Sequence, residues 1–184
     1  MTLKPLVLAA LFLAACAPHS APPAAPPAAP QPTQMLTPEG WGPVRIGMTR
    51  AEVRAVLGPG PELPECTEYE PSRAPVGLLV MIEEGRLTRV SLVTGAQIRT
   101  DRGLALGDTA AAVTAAYGAA AEASPHKYAP APAGYITTWS KGATASEYVE
   151  DPAARGMRYE VDSAGRVVAI RAGGPSIQYV EGCG

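Results

Sequence analysis

The feature that most constrains this fold is an internal duplication. A frame of Gly-x-Thr-x-x-x-Val-x-x-x-x-Gly occurs twice, with an offset of 60 residues between the copies. Its fixed positions are Gly47, Thr49, Val53 and Gly58 in the first copy, and Gly107, Thr109, Val113 and Gly118 in the second. Further on, Thr67–Tyr69 matches Ser146–Tyr148, and Gly85-Arg86 matches Gly165-Arg166 at an offset of 80. Such self-similarity predicts two copies of one structural unit.

Each copy of the frame predicts a short helix. The hydroxyl of Thr49 or Thr109 can accept a hydrogen bond from a free amide at the start of the helix. Glu52 follows Thr49 by three residues and completes a capping box, whereas Ala112 at the matching position cannot. The closing glycine of each frame stands where a helix often requires a left-handed residue.

Strand signals follow each helix. Apolar residues alternate with charged ones over Met157–Val161, which predicts a strand with one buried face. Turns at Gly85 and Gly165 predict hairpins with a return strand in each unit. We therefore expect an α+β fold of two tandem units, 35–100 and 101–184, each a short helix packed on a small antiparallel sheet. The second unit carries an insertion at about 119–144, and we expect Tyr135–Trp139 within it to form an additional strand.

The first 34 residues carry targeting signals rather than a fold. Residues 1–15 combine Lys4 with an apolar run too short to span a bilayer, which is typical of a secretory signal. Residues 16–34 are rich in Pro and Ala, a composition that forms neither a helix nor a sheet. An extended chain of this kind reaches roughly 55 Å over 18 residues at about 3.1 Å per residue.

The end of the signal resembles the lipobox of bacterial lipoproteins, through Leu13-Ala14-Ala15-Cys16. That resemblance implies lipidation of Cys16 with a diacylglycerol, together with fatty acylation, for example by palmitate, of the new amine. Lipoproteins retained in the inner membrane usually carry Asp after the cysteine. Ala17 at that position implies the cell outer membrane. An ordinary secretory cleavage site, which would release a soluble protein, is the alternative.

The first frame also resembles a known family. Gly47-Met48-Thr49, Val53 and Leu57-Gly58-Pro59 are similar to the start of the SmpA/OmlA-like lipoproteins, which include BamE of the β-barrel assembly machinery. Those proteins have one unit of helices against a small antiparallel sheet. Two units in tandem resemble the β-lactamase-inhibitor-protein fold. Both families act by binding proteins, so the resemblance implies a binding module rather than an enzyme.

The cysteine count indicates one disulfide. If Cys16 is lipidated, Cys66 and Cys183 remain, an even number in an oxidising compartment. A free buried thiol and a bridge between two chains are the alternatives. No Cys or His neighbours this pair in sequence, so we expect no zinc site and no cofactor.

Composition and motifs give little support to other function classes. Removal of the signal leaves 14 basic residues against 17 acidic ones, which argues against a nucleic-acid partner. Glu83 and Glu84 precede a hairpin glycine and are expected in a solvated turn, and His126 is expected on the surface of the insertion. We therefore predict no catalytic residue; an enzyme would require a cluster that the linear sequence does not show.

Two tryptophans are the candidates for a contact surface, Trp41 just after the tether and Trp139 in the insertion. Core packing is the alternative role for each, and Tyr69, Tyr148, Tyr159 and Tyr179 are expected in the core. The sequence thus predicts a lipoprotein anchored in the membrane and facing the periplasm. It would act as a non-enzymatic protein-binding or envelope-assembly module with an envelope protein as its partner. The alternative is a binder of a small ligand, a lipid or a peptidoglycan fragment in the groove between the units.

Overall fold

The computed structural model of the protein describes residues 34–61, 66–141 and 148–183. The predicted signal, Cys16 and the tether up to residue 33 lie outside these ranges, as do residues 142–147. Within them the chain forms two α-helices, α1 (Arg50–Leu57) and α2 (Ala110–Tyr117). The strands are β1 (Leu36–Thr37), β2 (Gly40–Trp41), β3 (Val44–Arg45), β4 (Cys66–Tyr69), β5 (Leu78–Glu83), β6 (Arg86–Leu92), β7 (Glu122–Pro125), β8 (Gly134–Lys141), β9 (Arg155–Val161) and β10 (Val167–Gly173).

The protein is mostly β, and the expectation of two helix-on-sheet α+β units is wrong. Seven strands form one antiparallel sheet in the order β4-β5-β6-β10-β9-β8-β7, and β1, β2 and β3 form a separate small sheet. The two halves of the chain share the large sheet because their return strands, β6 and β10, pair with each other. An unpaired return strand would leave a row of open backbone groups, which this pairing satisfies.

We call the β6–β10 pairing the seam, and it has an internal two-fold symmetry. Ser91 pairs with Arg171, its own counterpart at the offset of 80. On either side of this pair, Val90 pairs with Ala172 and Leu92 pairs with Ile170. The seam therefore relates the halves as two copies of one unit that meet edge to edge.

The repeated Gly-x-Thr segments extend the seam at both ends. The amide of Gly47 donates to Leu87 O at 2.7 Å, and the amide of Gly107 donates to Val167 O at 2.8 Å. Each hairpin also has a register shift next to these residues, so that one residue is extra in each return strand. Those extra residues are Thr88 and Val168, which again differ by 80. The duplication is thus present in backbone pairing as well as in sequence.

Both helices have the caps that their sequences predict. Thr49 accepts from the Glu52 amide, and the Glu52 carboxylate accepts from the Thr49 amide, which completes the capping box. These hydrogen bonds hold the pKa of Glu52 below its ordinary value. Thr109 accepts only from the Ala112 amide. Gly58 and Gly118 end the helices with positive φ of 87° and 57°, which a residue with a side chain rarely adopts.

One apolar core joins both halves. It contains Val53 and Leu57 of α1, Val113 of α2 and the inward side chains of the large sheet. Tyr159 is fully buried in this core, and its hydroxyl lies 2.8 Å from the hydroxyl of Tyr117 at the end of α2. Burial raises the pKa of both phenols, so both stay neutral and can share one hydrogen bond.

The strand order changes the interpretation of the insertion. Tyr135–Trp139 lies in β8, which pairs with β9 as β4 pairs with β5. It is therefore the counterpart of β4, and the additional strand is β7 at the edge of the sheet. The sequence match of Thr67–Tyr69 to Ser146–Tyr148 does not correspond to paired strands, because Tyr148 lies outside any strand and is 62% exposed.

The C-terminal segment crosses the face of the sheet opposite the helices. It includes a 3₁₀ turn (Pro175–Gln178) with Ile177 fully buried. A disulfide between Cys66 and Cys183 then ties the end of this segment to the edge strand β4. The bridge spans a sequence separation of 117 residues, so it closes a loop that contains most of the domain.

We expect Cys66→Ala and Cys183→Ala to lower the melting temperature equally, and the double variant to lower it no further. Each substitution opens the same loop, at a cost of about 4–5 kcal/mol in the loop-entropy model. Differential scanning calorimetry of the three variants measures this, with reduced wild-type protein as the control. Additive losses, or labelling of both thiols in the unreduced protein, would contradict the prediction.

Candidate functional site

Trp41 lies at the surface where the described chain begins. Its indole Nε1 donates to the carbonyl of Gln34 at 2.8 Å. The half-buried ring lines a groove of about 580 Å³ together with Val76 and Ile98. Val76 is 68% exposed, which makes it the most exposed of the large apolar side chains that the structure describes. Trp41 is thus part of an accessible apolar surface next to Gln34, the C-terminal end of the tether.

Trp139 has different surroundings. It lines a smaller cavity of about 220 Å³ with Tyr117 and Met157, beside the end of α2. Gly156 on β9 makes room for the indole, since a Cβ there would lie 2.7 Å from Trp139 Cε3. The cavities that contain the two tryptophans share no lining residue. The structure therefore does not join Trp41 and Trp139 in one groove.

The segment 94–99, which leads from the first half to the second, connects the Trp41 groove to a further one. This groove of about 480 Å³ lies at one end of the seam and is lined by Leu106 and Val168, with Val168 40% exposed. Gly95, Gln97 and Arg99 line both grooves. We call the apolar side chains along these two grooves the linker surface: Trp41, Val76, Ile98, Leu106 and Val168.

The other end of the seam opens into the inter-unit groove, with a volume of about 920 Å³. One wall comes from residues 46–47 and 83–88 of the first half, and the other from residues 150–155 and 174–179 of the second. Its charged residues are Glu83, Glu84, Arg86, Glu150 and Arg155. This groove contains the carboxylates of Glu83, Glu84 and Glu150, whereas the charged residue along the two grooves of the linker surface is Arg99.

A buried arginine lies beneath the C-terminal segment. Arg89 is 1% exposed, and its Nη2 lies 2.8 Å from Glu68 Oε2. Its Nη1 donates to the carbonyl of Ser176 at 2.7 Å, while Ser91 donates to the second oxygen of Glu68. Burial lowers the pKa of Arg89, and the Glu68 carboxylate opposes that shift, so the guanidinium stays charged. The pair stabilises the covering of this face by the C-terminal segment.

A second polar cluster occupies the same face over β8, β9 and β10. The Arg158 guanidinium lies 3.9 Å from the ring centroid of Tyr135, and burial lowers the pKa of Arg158. The His126 ring stacks on Tyr135 at 4.9 Å. Glu160 Oε2 accepts from Arg171 at 2.8 Å, and His126 Nε2 lies 3.4 Å from its other oxygen. These contacts form a closed network rather than a set of free acids and bases.

Of the three residues considered for catalysis, His126 and Glu83 are held in such contacts. His126 Nδ1 accepts from the amides of Tyr128 and Ala129, both at 3.1 Å, so this nitrogen caps a turn. The His126 side chain is only 14% exposed, which differs from the predicted surface position. Glu83 accepts a hydrogen bond from Thr88, whereas Glu84 is exposed in the hairpin turn with φ of 49°. Among the described residues, no three His, Cys, Asp or Glu are placed to hold a metal ion.

Comparison of the chain with protein-family models, with curated proteins and with solved structures finds no match. In the part of the chain that the structure describes, no helix is long and apolar enough to cross a membrane. The lipidation of Cys16 stays a prediction, because that residue lies outside the described ranges.

We expect Glu160→Gln to destabilise the protein at pH 7 but not at low pH. Burial alone would raise the pKa of Glu160, but Arg171 and the hydrogen bonds outweigh it and lower the pKa from the ordinary 4.5. The ionised carboxylate therefore contributes stability above pH 4.5, and that contribution is lost as the pH falls through the lower folded-state pKa.

The expected loss at pH 7 is about 1 kcal/mol, since a hydrogen bond from Arg171 to a partly exposed carboxylate is replaced by a neutral one. Urea unfolding at pH 7, 5 and 3 measures it, with Glu122→Gln on the exposed strand β7 as the control. A difference in unfolding free energy that stays constant down to pH 3 would show that the carboxylate does not act through its charge.

Proposed function

We propose that this chain is a bacterial lipoprotein anchored on the periplasmic side of the outer membrane through Cys16. Its domain acts as a non-enzymatic module that binds an envelope protein. The lipobox-like Leu13–Cys16, the Pro/Ala-rich tether and the resemblance of the first frame to SmpA/OmlA-like lipoproteins support this assignment. The tether reaches roughly 55 Å, which separates the domain from the bilayer by more than its own diameter.

The observation that carries the protein-binding role is the linker surface. Val76 and Val168 are 68% and 40% exposed. They line two different grooves, and residues of the segment 94–99 line both of these grooves. Exposed apolar side chains gathered around an aromatic ring are typical of contact surfaces, because their burial against a partner is favourable. Trp41 supplies that ring, anchored by its hydrogen bond to Gln34.

The position of this surface suits an anchored protein. Gln34 is the last residue of the predicted tether and the first that the structure describes, and it lines the same groove as Trp41 and Val76. A partner held on the linker surface would therefore lie beside the point where the chain leaves for the membrane. This placement favours a partner that is itself in or near the membrane.

A second candidate function is the binding of a ligand in the inter-unit groove. At about 920 Å³ the groove is in the size range of small-molecule sites, and it contains both charged and apolar side chains. The mixed lining favours a polar ligand over a lipid chain.

We expect Cys16→Ser to move the protein from the membrane fraction to the soluble fraction. Without the thiol no acyl chain can be attached, and the described domain offers no helix that could replace the anchor. Fractionation of cells of the native host measures this, with Ser20→Ala in the tether as a control substitution that leaves Cys16 intact. Unchanged fractionation, or a mature N-terminus beyond Cys16 by mass spectrometry, would refute lipidation.

We expect Val76→Glu to reduce recovery of the envelope partner at least tenfold. A charge buried in an apolar contact costs more than about 1.4 kcal/mol of binding free energy, the value of a tenfold change. Pull-down from detergent-solubilised envelopes with the tagged full chain, quantified by mass spectrometry, provides the measurement.

The matched control is Tyr128→Glu, which places the same charge on an equally exposed apolar residue, 62% accessible, outside the linker surface. Circular dichroism checks that both variants keep the native fold. Equal recovery of the partner by wild type and Val76→Glu would exclude the linker surface as the contact. A loss that is equal for both variants would indicate a nonspecific effect of charge.

A further inference from the structure

We propose that the inter-unit groove binds a positively charged, extended segment of a partner protein, with Lys or Arg side chains against Glu84 and Glu150. The positive charge of the ligand follows from the carboxylates of the groove. Its origin in a protein partner rests on the proposed function.

The internal symmetry allows this groove to be compared with the groove at the other end of the seam. The groove with Leu106 and Val168 lies at the other end of the seam and is built from matching residues. Gly47 matches Gly107 at the offset of 60, and Thr88 matches Val168 at the offset of 80. The two grooves thus share these matching residues, but residues 83–86 and 150–155 line only the inter-unit groove.

Ser176 is the first residue of the inter-unit groove that indicates a ligand. It lines the inter-unit groove and is 3% exposed, yet its hydroxyl has no hydrogen-bond partner among the described residues. An unpaired buried hydroxyl is unfavourable. A ligand that hydrogen-bonds to this hydroxyl would account for its presence.

The charges of the groove are unevenly satisfied. Arg86 donates to Gly47 O at 2.9 Å, and Arg155 donates to Ala154 O at 2.7 Å and lies 3.4 Å from Glu39. In contrast, neither Glu84 nor Glu150 has an ion pair or a side-chain hydrogen bond with any residue that the structure describes. The cations of the groove are thus engaged by the protein itself, whereas two carboxylates are left to bind a cation from outside.

Tyr179 adds a neutral aromatic group to these carboxylates. It lines the groove, and burial together with the nearby Glu83 raises the pKa of its hydroxyl. The phenol therefore stays uncharged and can hydrogen-bond, while its ring face attracts cations. Carboxylates and a phenol ring in one groove are a combination that favours ammonium and guanidinium groups.

The volume of the groove and the sequence of this chain restrict further which ligand fits the groove. A groove of about 920 Å³ is comparable to a drug-sized site and larger than one side chain requires, which favours a segment of several residues. The tether of this chain, residues 17–34, contains no Lys or Arg and does not fit the charge. A cationic segment of another protein meets both requirements.

The test uses the full lipidated chain in a neutral detergent and a labelled pentapeptide, acetyl-Gly-Lys-Gly-Lys-Gly-amide. We expect saturable one-to-one binding by fluorescence anisotropy that weakens as salt is added, and no saturable binding of the Gln counterpart. Glu84→Gln combined with Glu150→Gln should weaken binding at least tenfold. Ser176→Ala should weaken it severalfold without lowering the melting temperature.

The matched control is Glu122→Gln combined with Asp101→Asn, which removes the same charge from exposed positions outside the groove. Absence of saturable binding of the Lys peptide, or an equal loss in both double variants, would overturn the proposal. A groove-dependent dimer in sedimentation would overturn it in favour of a second copy as occupant.

The same peptide separates this proposal from the proposed function. Added to the envelope pull-down, it should displace the partner if the partner supplies the cationic segment. Peptide binding without displacement would keep the cation site and overturn its assignment to that partner. Loss of the partner in Val76→Glu with unchanged peptide binding would support the linker surface independently.

Discussion

The pairing of β6 with β10 is the interaction on which the rest of the structure depends. It joins the three strands β4-β5-β6 and the four strands β10-β9-β8-β7 into one sheet and removes two edges that would otherwise be open. It also brings the apolar faces of both halves together, so that α1 and α2 cover a single core. Because both helices have only eight residues, they would not be stable without this shared surface.

The face of the sheet opposite the helices depends on the C-terminal segment. Arg89 and Glu68 are tolerable in the interior because they neutralise each other and because carbonyl oxygens of the segment accept from the guanidinium. The disulfide at Cys183 fastens the end of that segment to β4. The buried Arg89–Glu68 pair needs the carbonyl groups of the C-terminal segment, and the disulfide holds that segment in place. Together they favour one path of the C-terminal segment over others.

Local features could be predicted from the sequence, because they depend on neighbouring residues. The Thr49 cap, the glycine after each helix and the hairpin at Gly85 follow from hydrogen bonding and backbone sterics within a few positions. The joining of the two sheets could not be predicted. The residue pattern of a return strand indicates the hairpin strand on one side of it, but not which strand pairs with its other side. For the same reason the sequence does not show that Arg89 is buried, because Ser176, whose carbonyl accepts from its guanidinium, lies 87 residues further along the chain. Tyr148 shows the opposite error, since a sequence match over three residues is too short to establish a strand.

The two-fold symmetry of the seam has an evolutionary meaning. A chain with one unit would expose its return strand and would pair with an identical chain in the register now seen between Ser91 and Arg171. In such a homodimer both grooves would be identical, and every mutation would change both. Once the units are fused in one gene, each groove can diverge without the other. Thr88 against Val168 is a difference that such a fusion permits.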